Sequence, residues 1–264
     1  MISIVSAYYN RKPQFYRTLI SISKSEFKNF EYIVVDDGSS AEHRLEDLVK
    51  EFPFLRVIRV EPIDKWYVNP CIPFNMGIFQ AMGDIILLQN PECLHVHDVL
   101  KYINENINDT KYLTISTYAI NEKLTNHDLL NHIQANTVPQ FLKSLPQKIT
   151  DDATYTGWYN HTKYRPTYYH FCSALTKKNM ELLNGFDERY ADGIACDDDE
   201  FVIRIGRLGL NKIIVDEVSV IHQWHLPSIY MIPNAGKLRE KNGLLLNITR
   251  IETGYRAANN LTIK

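Results

Sequence analysis

The segment Tyr32-Ile33-Val34-Val35-Asp36-Asp37-Gly38-Ser39 decides the fold class of this 264-residue chain. Its first four residues are aromatic or β-branched, and such a short continuous apolar run predicts a strand buried on both faces. The Asp-Asp-Gly-Ser sequence that follows is typical of a turn. The segment therefore predicts a buried strand that leads directly into a polar turn.

Strands and helices alternate on both sides of this segment. The predicted elements are a strand at residues 2–6, a helix opened by Pro13, the strand at 32–35, a helix through 45–49, a strand at 55–60, a helix at 73–82 and a strand at 85–88. This alternation favours a largely parallel sheet covered by helices on both faces. Polar motifs follow three of the strands, namely Tyr8-Tyr9-Asn10-Arg11, Asp36-Asp37-Gly38 and Gln89-Asn90-Pro91-Glu92. Because ligands bind beyond the carboxyl ends of such strands, we expect a binding site where these motifs meet.

The second half of the chain has a less regular pattern. It predicts helices at 128–133 and 140–145, an aromatic loop region at 154–170, a strand at 171–175, two short strands ending near Ile214 and Ile221, and an amphipathic helix over 237–259. No internal repeat or low-complexity linker interrupts the chain. We therefore expect one domain over residues 1–235, with a helical extension at 236–264 packed on it.

Bulk composition excludes several classes of protein. The net charge is −2, which gives no electrostatic reason to expect nucleic-acid binding. No apolar run is long enough for a membrane span, and the first residues are typical of a strand rather than of a signal peptide. The four cysteines show no metal-binding spacing, so reduced thiols in a cytoplasmic protein are the simplest interpretation. The sequence does not indicate an oligomeric state.

The four consecutive acids Asp197–Glu200 are the second informative feature. Phe201, Ile205 and Leu208 follow at helical spacing, so the acids occupy the first turn of a predicted helix, where the helix dipole offsets part of their repulsion. An isolated acidic run of this kind is typical of a surface helix. Here the polar strand ends and the downstream pair His222 and His225 favour a catalytic role, and together they indicate a transferase.

Taken in order, these motifs resemble those of the family 2 glycosyltransferases of the GT-A fold, over about residues 1–225. The resemblance is carried by Ile2–Arg11, by the YIVVDDGS segment, by Asn75-Met76-Gly77-Ile78 with Gly83-Asp84, by Gly185-Phe186-Asp187-Glu188 and by Asp197-Asp198. It implies a single α/β domain of GT-A type, with a Rossmann-like, mostly parallel central sheet flanked by helices and with a C-terminal helix. It also implies inverting transfer of a sugar from a nucleotide-sugar, expected to be a UDP-sugar, to a hydroxyl of a glycan or glycoconjugate. Residues 1–110 would form the donor-binding half and residues 111–235 the acceptor half.

The donor-binding residues are expected at the polar strand ends and in the approach to the third helix. They are Ala7, Tyr8, Tyr9, Asn10, Arg11, Asp37, Asn69, Asn75, Gln89 and Asn90. A carboxylate such as Asp37 can accept the imide N–H of uracil, and an aromatic ring can stack on the base. The alternatives are that Asp36 and Asp37 only shape the turn, with both interpretations standing equally for Asp36, and that Asn75 caps local backbone.

The metal site departs from the family pattern. Asn90-Pro91-Glu92 stands where the family has a D-x-D motif, so the first acid is an amide. By resemblance, Glu92 and His222 are the expected ligands of Mn²⁺ (or Mg²⁺), and His225 is a second-choice ligand or a phosphate contact. The alternative is a strand end broken by Asn-Pro, with Glu92 in solvent.

Asp198 is the expected general base, because inverting transfer needs a carboxylate that takes the proton of the acceptor hydroxyl. Asp197 is expected to bind an acceptor hydroxyl, and a base one position away remains an alternative. Trp158 and His161 belong to the aromatic region expected to bind the acceptor. An aromatic mini-core under a long loop explains that region equally well.

Two other functions compete with this one. The first is a nucleotide-sugar or glycan-binding module that has lost turnover through the change at Asn90. The second is a nucleotidyltransferase, which is disfavoured because residues 8–12 lack the glycines of a triphosphate-binding loop.

Overall fold

The computed structural model describes residues 1–151, 154–226 and 232–259, and within these residues nine strands form one sheet. The strands are β1 (Ile2–Tyr8), β2 (Phe30–Asp36), β3 (Leu55–Arg59), β4 (Ile85–Gln89), β5 (Cys93–His95), β6 (Lys111–Ala119), β7 (Gly157–Asn160), β8 (Cys172–Thr176) and β9 (Asn211–His222). The α-helices are α1 (Lys12–Ser23), α2 (Leu48–Glu51), α3 (Cys71–Phe79), α4 (Val99–Asn106), α5 (Leu129–Gln134), α6 (Val138–Ser144), α7 (Lys177–Leu183), α8 (Asp197–Arg207) and α9 (Ala235–Thr249). The α/β fold class is therefore confirmed.

The sheet has the order β3-β2-β1-β4-β8-β6-β9-β5, with β7 added beside β6. Strands β3, β2, β1 and β4 are parallel, as the first half of the sequence predicts. Strand β8 then pairs antiparallel with both β4 and β6, while β6 and β9 are parallel. The prediction of a parallel sheet is therefore confirmed for β1, β2, β3 and β4, whereas the remaining strands make the sheet mixed. No crossover helix is needed where neighbouring strands run antiparallel.

The central strands are buried on both faces. In β2, Tyr32 and Val34 pack into one hydrophobic cluster and Ile33 into the cluster on the other face. Helix α1 covers the first cluster through Phe15 and Leu19, which are fully buried. Each such side chain contributes about 1.5–3 kcal/mol when it is fully buried. This packing holds the polar ends of β1, β2 and β4 at one edge of the sheet.

Four strands differ from the sequence-based expectation: β5, β6 and β7 were not predicted, and β9 has a different extent. Strand β6 was not predicted, because Thr114, Ser116 and Thr117 interrupt its apolar pattern, although all three are fully buried. Strand β9 is continuous where two short strands were expected. Its pairing with β6 shifts between Val215 and Ser219, so the intervening residues form a bulge that keeps both parts in one strand.

The C-terminal helix is shorter than predicted. Helix α9 ends at Thr249, not at residue 259, and Arg207 of α8 donates a hydrogen bond to the Thr249 carbonyl at 2.6 Å. A cation at the last carbonyls favours a helix end there. The following residues remain attached to the domain, since the Ala257 N–H donates to the Leu183 carbonyl at 2.9 Å. Residues 260–264 of the predicted extension lie outside the described residues. In the described part of the chain, no helix combines the length and the apolar character that crossing a membrane requires.

Candidate active site

A cavity of about 540 Å³ opens at the carboxyl ends of β1, β2 and β4. This volume is in the range of small-molecule sites. The residues predicted to act in catalysis or binding that border it are Ala7, Tyr8, Tyr9, Arg11, Asp37, Asn90, Asp197 and Asp198. Residues from both halves of the chain therefore meet in one cavity.

Asp37 lies on the wall of this cavity and both of its oxygens have partners. Lys65 Nζ lies 2.6 Å from Oδ2, and the Tyr67 hydroxyl donates to Oδ1 at 2.8 Å. Lys65 also lies 5.3 Å from the centre of the Tyr9 ring. Burial raises the pKa of Asp37, although Lys65 opposes this effect. A carboxylate acceptor, an ammonium donor and an aromatic face thus stand side by side, which is a combination suited to the edge and face of a nucleobase.

Asp36 has a structural role. It is fully buried, its Oδ2 lies 2.6 Å from Arg59 Nη1, and its Oδ1 accepts from the Ser39 N–H at 2.9 Å. Of the two interpretations of Asp36, the turn-shaping one agrees with these contacts.

Two predicted donor-binding residues at the end of β1, Tyr8 and Asn10, have side chains that are engaged within the protein. The Tyr8 ring packs against Phe15, and its hydroxyl donates to the His43 carbonyl at 2.7 Å. Asn10 adopts a positive φ of 49° and its Oδ1 accepts from the Ser40 N–H at 2.9 Å, so it braces the turn after β2. Only Ala7, Tyr9 and Arg11 of this segment remain suited to contact a ligand with their side chains.

Three further predicted donor-binding residues are completely or almost completely buried and do not border the cavity. Gln89 donates to the Cys93 carbonyl at 3.0 Å. Asn75 donates to the Phe186 carbonyl at 2.9 Å and accepts from its N–H at 2.8 Å, in agreement with a backbone-capping role. Asn69 donates to Asp197 Oδ1 at 3.0 Å, so it orients an acid of the cavity.

Glu92 is buried just before β5, and its carboxylate is contacted by one guanidinium and two imidazoles. Its Oε2 lies 2.8 Å from Arg11 Nη1, and its Oε1 lies 3.0 Å from His222 Nε2 and 3.3 Å from His225 Nε2. Arg11 is the member of this cluster that borders the cavity. The structure therefore brings all three predicted metal ligands together, and it contradicts the alternative in which Glu92 is solvated.

The electrostatics of this cluster suit a cation. Burial alone would raise the pKa of Glu92, but Arg11 and the two histidines outweigh it and hold that pKa well below its usual range. Burial lowers the pKa of His222, which keeps its imidazole neutral, as a metal ligand must be. Although Oε1 is close to both imidazoles, it receives no well-directed hydrogen bond. The ligand atoms lie within 4.8 Å of one another. One carboxylate and two imidazoles fit Mn²⁺ and also Zn²⁺.

The acidic helix begins as predicted and delivers two carboxylates to the cavity. Asp197 and Asp198 are the first residues of α8, and the preceding Ala195 and Cys196 both have positive φ, 62° and 70°. Two consecutive non-glycine residues in this region store backbone strain, which is common at functional sites. Burial, reinforced by Asp198, raises the pKa of Asp197 to about 6. The tight bend therefore places one buried acid and one half-buried acid at the helix N-terminus.

The predicted acceptor residues Trp158 and His161 do not border the cavity. The Trp158 side chain is buried in a separate hydrophobic cluster, and its Nε1 donates to Gln147 at 3.1 Å. The His161 ring packs against that indole, with ring centres 4.3 Å apart. The aromatic mini-core thus accounts for both residues.

Sequence reasoning did not assign roles to Lys65 or Tyr67, and it placed His170 only within the aromatic region expected to bind the acceptor. Lys65 and Tyr67 flank Asp37 as described, and His170 Nδ1 lies 2.5 Å from Asp198 Oδ1. The only local signal was the concentration of aromatic and charged residues around each position. Their partners are distant in sequence, so the pairing depends on the tertiary structure.

The chain matches the Glycosyl transferase family 2 over residues 3–167, which is more than half of its length. The chain belongs to glycosyltransferase family 2. A comparison with curated proteins gives no match.

Solved structures support the GT-A fold of this chain. S. aureus TarS 1-349 has a TM-score of 0.55 and 17% identity, with coverage of 84% of this chain and 60% of that one. The same TarS fragment in complex with UDP-GlcNAc has a TM-score of 0.62 and 15% identity, with coverage of 96% and 68%. A mannosyltransferase from Pyrobaculum calidifontis, in complex with GDP-Man and Mn²⁺, has a TM-score of 0.52 and 15% identity, with coverage of 83% and 56%. The chain thus spans a little over half to two thirds of the length of these structures.

Proposed function

We propose that the protein transfers a sugar, with inversion, from a UDP-sugar to a carbohydrate hydroxyl, and that Asp198 is the general base. The observation that carries the proposal is the meeting of Asp37 and Asp198 on one cavity, because these residues come from opposite halves of the chain. Asp37 and Tyr9 can bind the nucleobase of the donor, and Asp198 can accept the proton of the acceptor hydroxyl. Structures of similar fold bind UDP-GlcNAc or GDP-Man, which supports a nucleotide-sugar donor.

In the proposed reaction, the acceptor oxygen attacks the anomeric carbon on the face opposite the nucleoside diphosphate. The new carbon–oxygen bond forms as the bond to the diphosphate breaks, and that electron pair leaves on the phosphate oxygen. Asp198 receives the hydroxyl proton, a contribution of about 10²–10⁴-fold for a well-placed base. Asp197, with its raised pKa, stands beside it and is proposed to hold an acceptor hydroxyl.

The leaving diphosphate requires positive charge. Arg11 supplies one guanidinium at the cavity wall. We propose that Glu92, His222 and His225 hold Mn²⁺, which when bound would stabilise the negative charge of the diphosphate. The Arg11 guanidinium lies 2.8 Å from Glu92, so a positive charge already stands beside this carboxylate. The residues therefore also allow the diphosphate to bind through Arg11, without a metal ion.

One specific observation favours a second function, a binding module without turnover. Asn90 occupies the position of the first acid of the metal motif, and it borders the cavity. A UDP-sugar would still bind such a site, but without the charge stabilisation needed for rapid transfer.

Hydrolysis of nucleotide sugars separates these functions without knowledge of the acceptor. The purified chain is incubated with UDP- and GDP-sugars, with Mn²⁺ or with chelator, and nucleoside diphosphate release is measured. We expect release from at least one UDP-sugar, and we expect Asp198→Asn to slow it. Binding without release for every donor would support the module, and absence of both would refute the proposed donor class.

A further inference from the structure

His170 lies in the cavity wall two residues before β8, and its surroundings differ from those of the other histidines. Its side chain is only 6% exposed, and Nδ1 lies 2.5 Å from Oδ1 of Asp198. Phe74 and Phe186 pack edge-on against the imidazole, with ring centres 4.9 and 4.8 Å away. Because these rings hold the imidazole on two sides, it has little freedom to leave the carboxylate.

The charges around His170 favour a protonated imidazole. Burial alone would lower the pKa of His170, but Asp198 and, to a smaller extent, Asp197 outweigh it and raise that pKa. The two phenylalanines that pack against the ring carry no charge. Within the described parts of the chain, the charged groups that act on His170 are these two carboxylates of α8.

The two oxygens of Asp198 differ in their surroundings. Oδ1 forms an ion pair with His170 Nδ1 at 2.5 Å, without a well-directed hydrogen bond, whereas Oδ2 has no ion-pair or hydrogen-bond partner among the described residues. The side chain is 35% exposed and borders the cavity. A carboxylate side chain at the first turn of a helix can otherwise rotate or turn back to cap backbone N–H groups. The contact with His170 opposes both movements.

We propose that His170 is a positioning residue that holds Oδ1 of Asp198, so that Oδ2 is presented to the acceptor hydroxyl. This inference rests on the proposed role of Asp198 as general base. His170 does not itself receive the acceptor proton in this scheme.

The first test measures the contact without any activity. NMR titration of the histidine imidazoles, with His170 assigned by its absence in His170→Asn, gives the pKa of His170 in the wild type and in Asp198→Asn. We expect a clearly lower pKa in Asp198→Asn, because the favourable negative charge is lost. An unchanged pKa would refute the contact even if the protein proved to be a glycosyltransferase.

The second test uses a matched pair of variants. His170→Phe preserves an aromatic ring among Phe74 and Phe186 but cannot hold Asp198, whereas His170→Asn retains an amide N–H near the position of Nδ1. We expect His170→Phe to lower kcat for donor hydrolysis by about 10- to 100-fold, the size typical of a misplaced catalytic group. His170→Asn should restore most of this loss, and KM for the donor should stay close to wild type in both.

Rescue by the conservative variant and the comparison of kcat with KM distinguish positioning from a purely structural role. Equal loss of kcat in both variants would overturn the proposal, and so would a KM for the donor that rises in parallel with the loss of kcat. If His170→Phe does not fold, the NMR result and the kcat of His170→Asn, which should stay close to that of the wild type, decide the question. If wild-type protein releases no nucleotide from any donor, the proposed function fails, and the NMR result still decides whether His170 holds Asp198.

Discussion

Asp197 provides a test of the site through stability alone. Its side chain is buried beside Asp198, and burial first and Asp198 second raise its pKa from 3.8 to about 6. The folded protein therefore binds this proton more tightly than the unfolded chain does. Ionisation of Asp197 therefore lowers the free energy of unfolding. This loss is absent below about pH 4, grows between about pH 4 and pH 6, and is complete above about pH 6. A rise of about two pKa units corresponds to about 3 kcal/mol.

Asp197→Asn removes this charge and keeps an oxygen that can accept from Asn69, as Oδ1 does at 3.0 Å. We expect the free energy of unfolding to increase by up to about 3 kcal/mol at pH 7.5, which for a chain of this size raises Tm by roughly 6 °C. At pH 4 the wild type and the variant should be nearly equal. Thermal and urea unfolding at both pH values measure the difference.

The neighbouring Asp199 offers a matched control. It lies on the same helical turn but is half-buried, and the Tyr169 hydroxyl donates to it at 2.8 Å. Asp199→Asn should change the unfolding free energy much less than Asp197→Asn does. A Tm increase of the same size at pH 4 and pH 7.5, or a loss of stability in Asp197→Asn at pH 7.5, would refute the reasoning about buried charge.

Three further predictions concern the proposed reaction and its ligands. Asp198→Asn should lower turnover by about 10²–10⁴-fold in a nucleotide-release assay while calorimetric UDP-sugar binding changes little; unchanged turnover would move the base to Asp197 or Asp199. Asp37→Ala should weaken UDP binding in calorimetry, and equal binding by the wild type and the variant would remove Asp37 from the donor site. Mn²⁺ should tighten UDP binding and chelator should reverse this, with the effect lost in Glu92→Gln; if Glu92→Gln keeps it, the metal is held elsewhere.

The first half of the fold could be predicted from sequence because its signals are local. Residues 32–35 form a continuous apolar run, and neighbours in a strand alternate between two faces, so such a run requires a sheet covered on both sides. The Asp-Asp-Gly turn and Pro13 mark element boundaries in the same local way. The start of α8 was equally readable, since Phe201 and Ile205 repeat at helical spacing behind the acids. Strand β6 could not be predicted in this way, because its buried hydroxyl groups find their hydrogen-bond partners only in the folded chain. Thr114, for example, donates to the Ile213 carbonyl at 3.3 Å.

The candidate site also has features that the sequence could predict and features that it could not. Sequence alone determined which residue types gather at the strand ends, and it determined the Glu92, His222 and His225 cluster once the family pattern was applied. Only the tertiary structure decided which of those side chains face the cavity. Gln89 and Asn90 are adjacent in sequence. The Gln89 side chain is nevertheless buried and hydrogen-bonded to His95, and of the two residues only Asn90 borders the cavity.

The pairs that set the charges of the site are also tertiary. Lys65 reaches Asp37 because β3 pairs with β2, and His170 reaches Asp198 because the chain before β8 lies against the start of α8. Sequence spacing carries no information about such a contact, because its energy depends on distance and burial in the folded chain. The sequence thus determined the chemistry that is available, and the packing of the sheet decided which groups meet and in what state of charge.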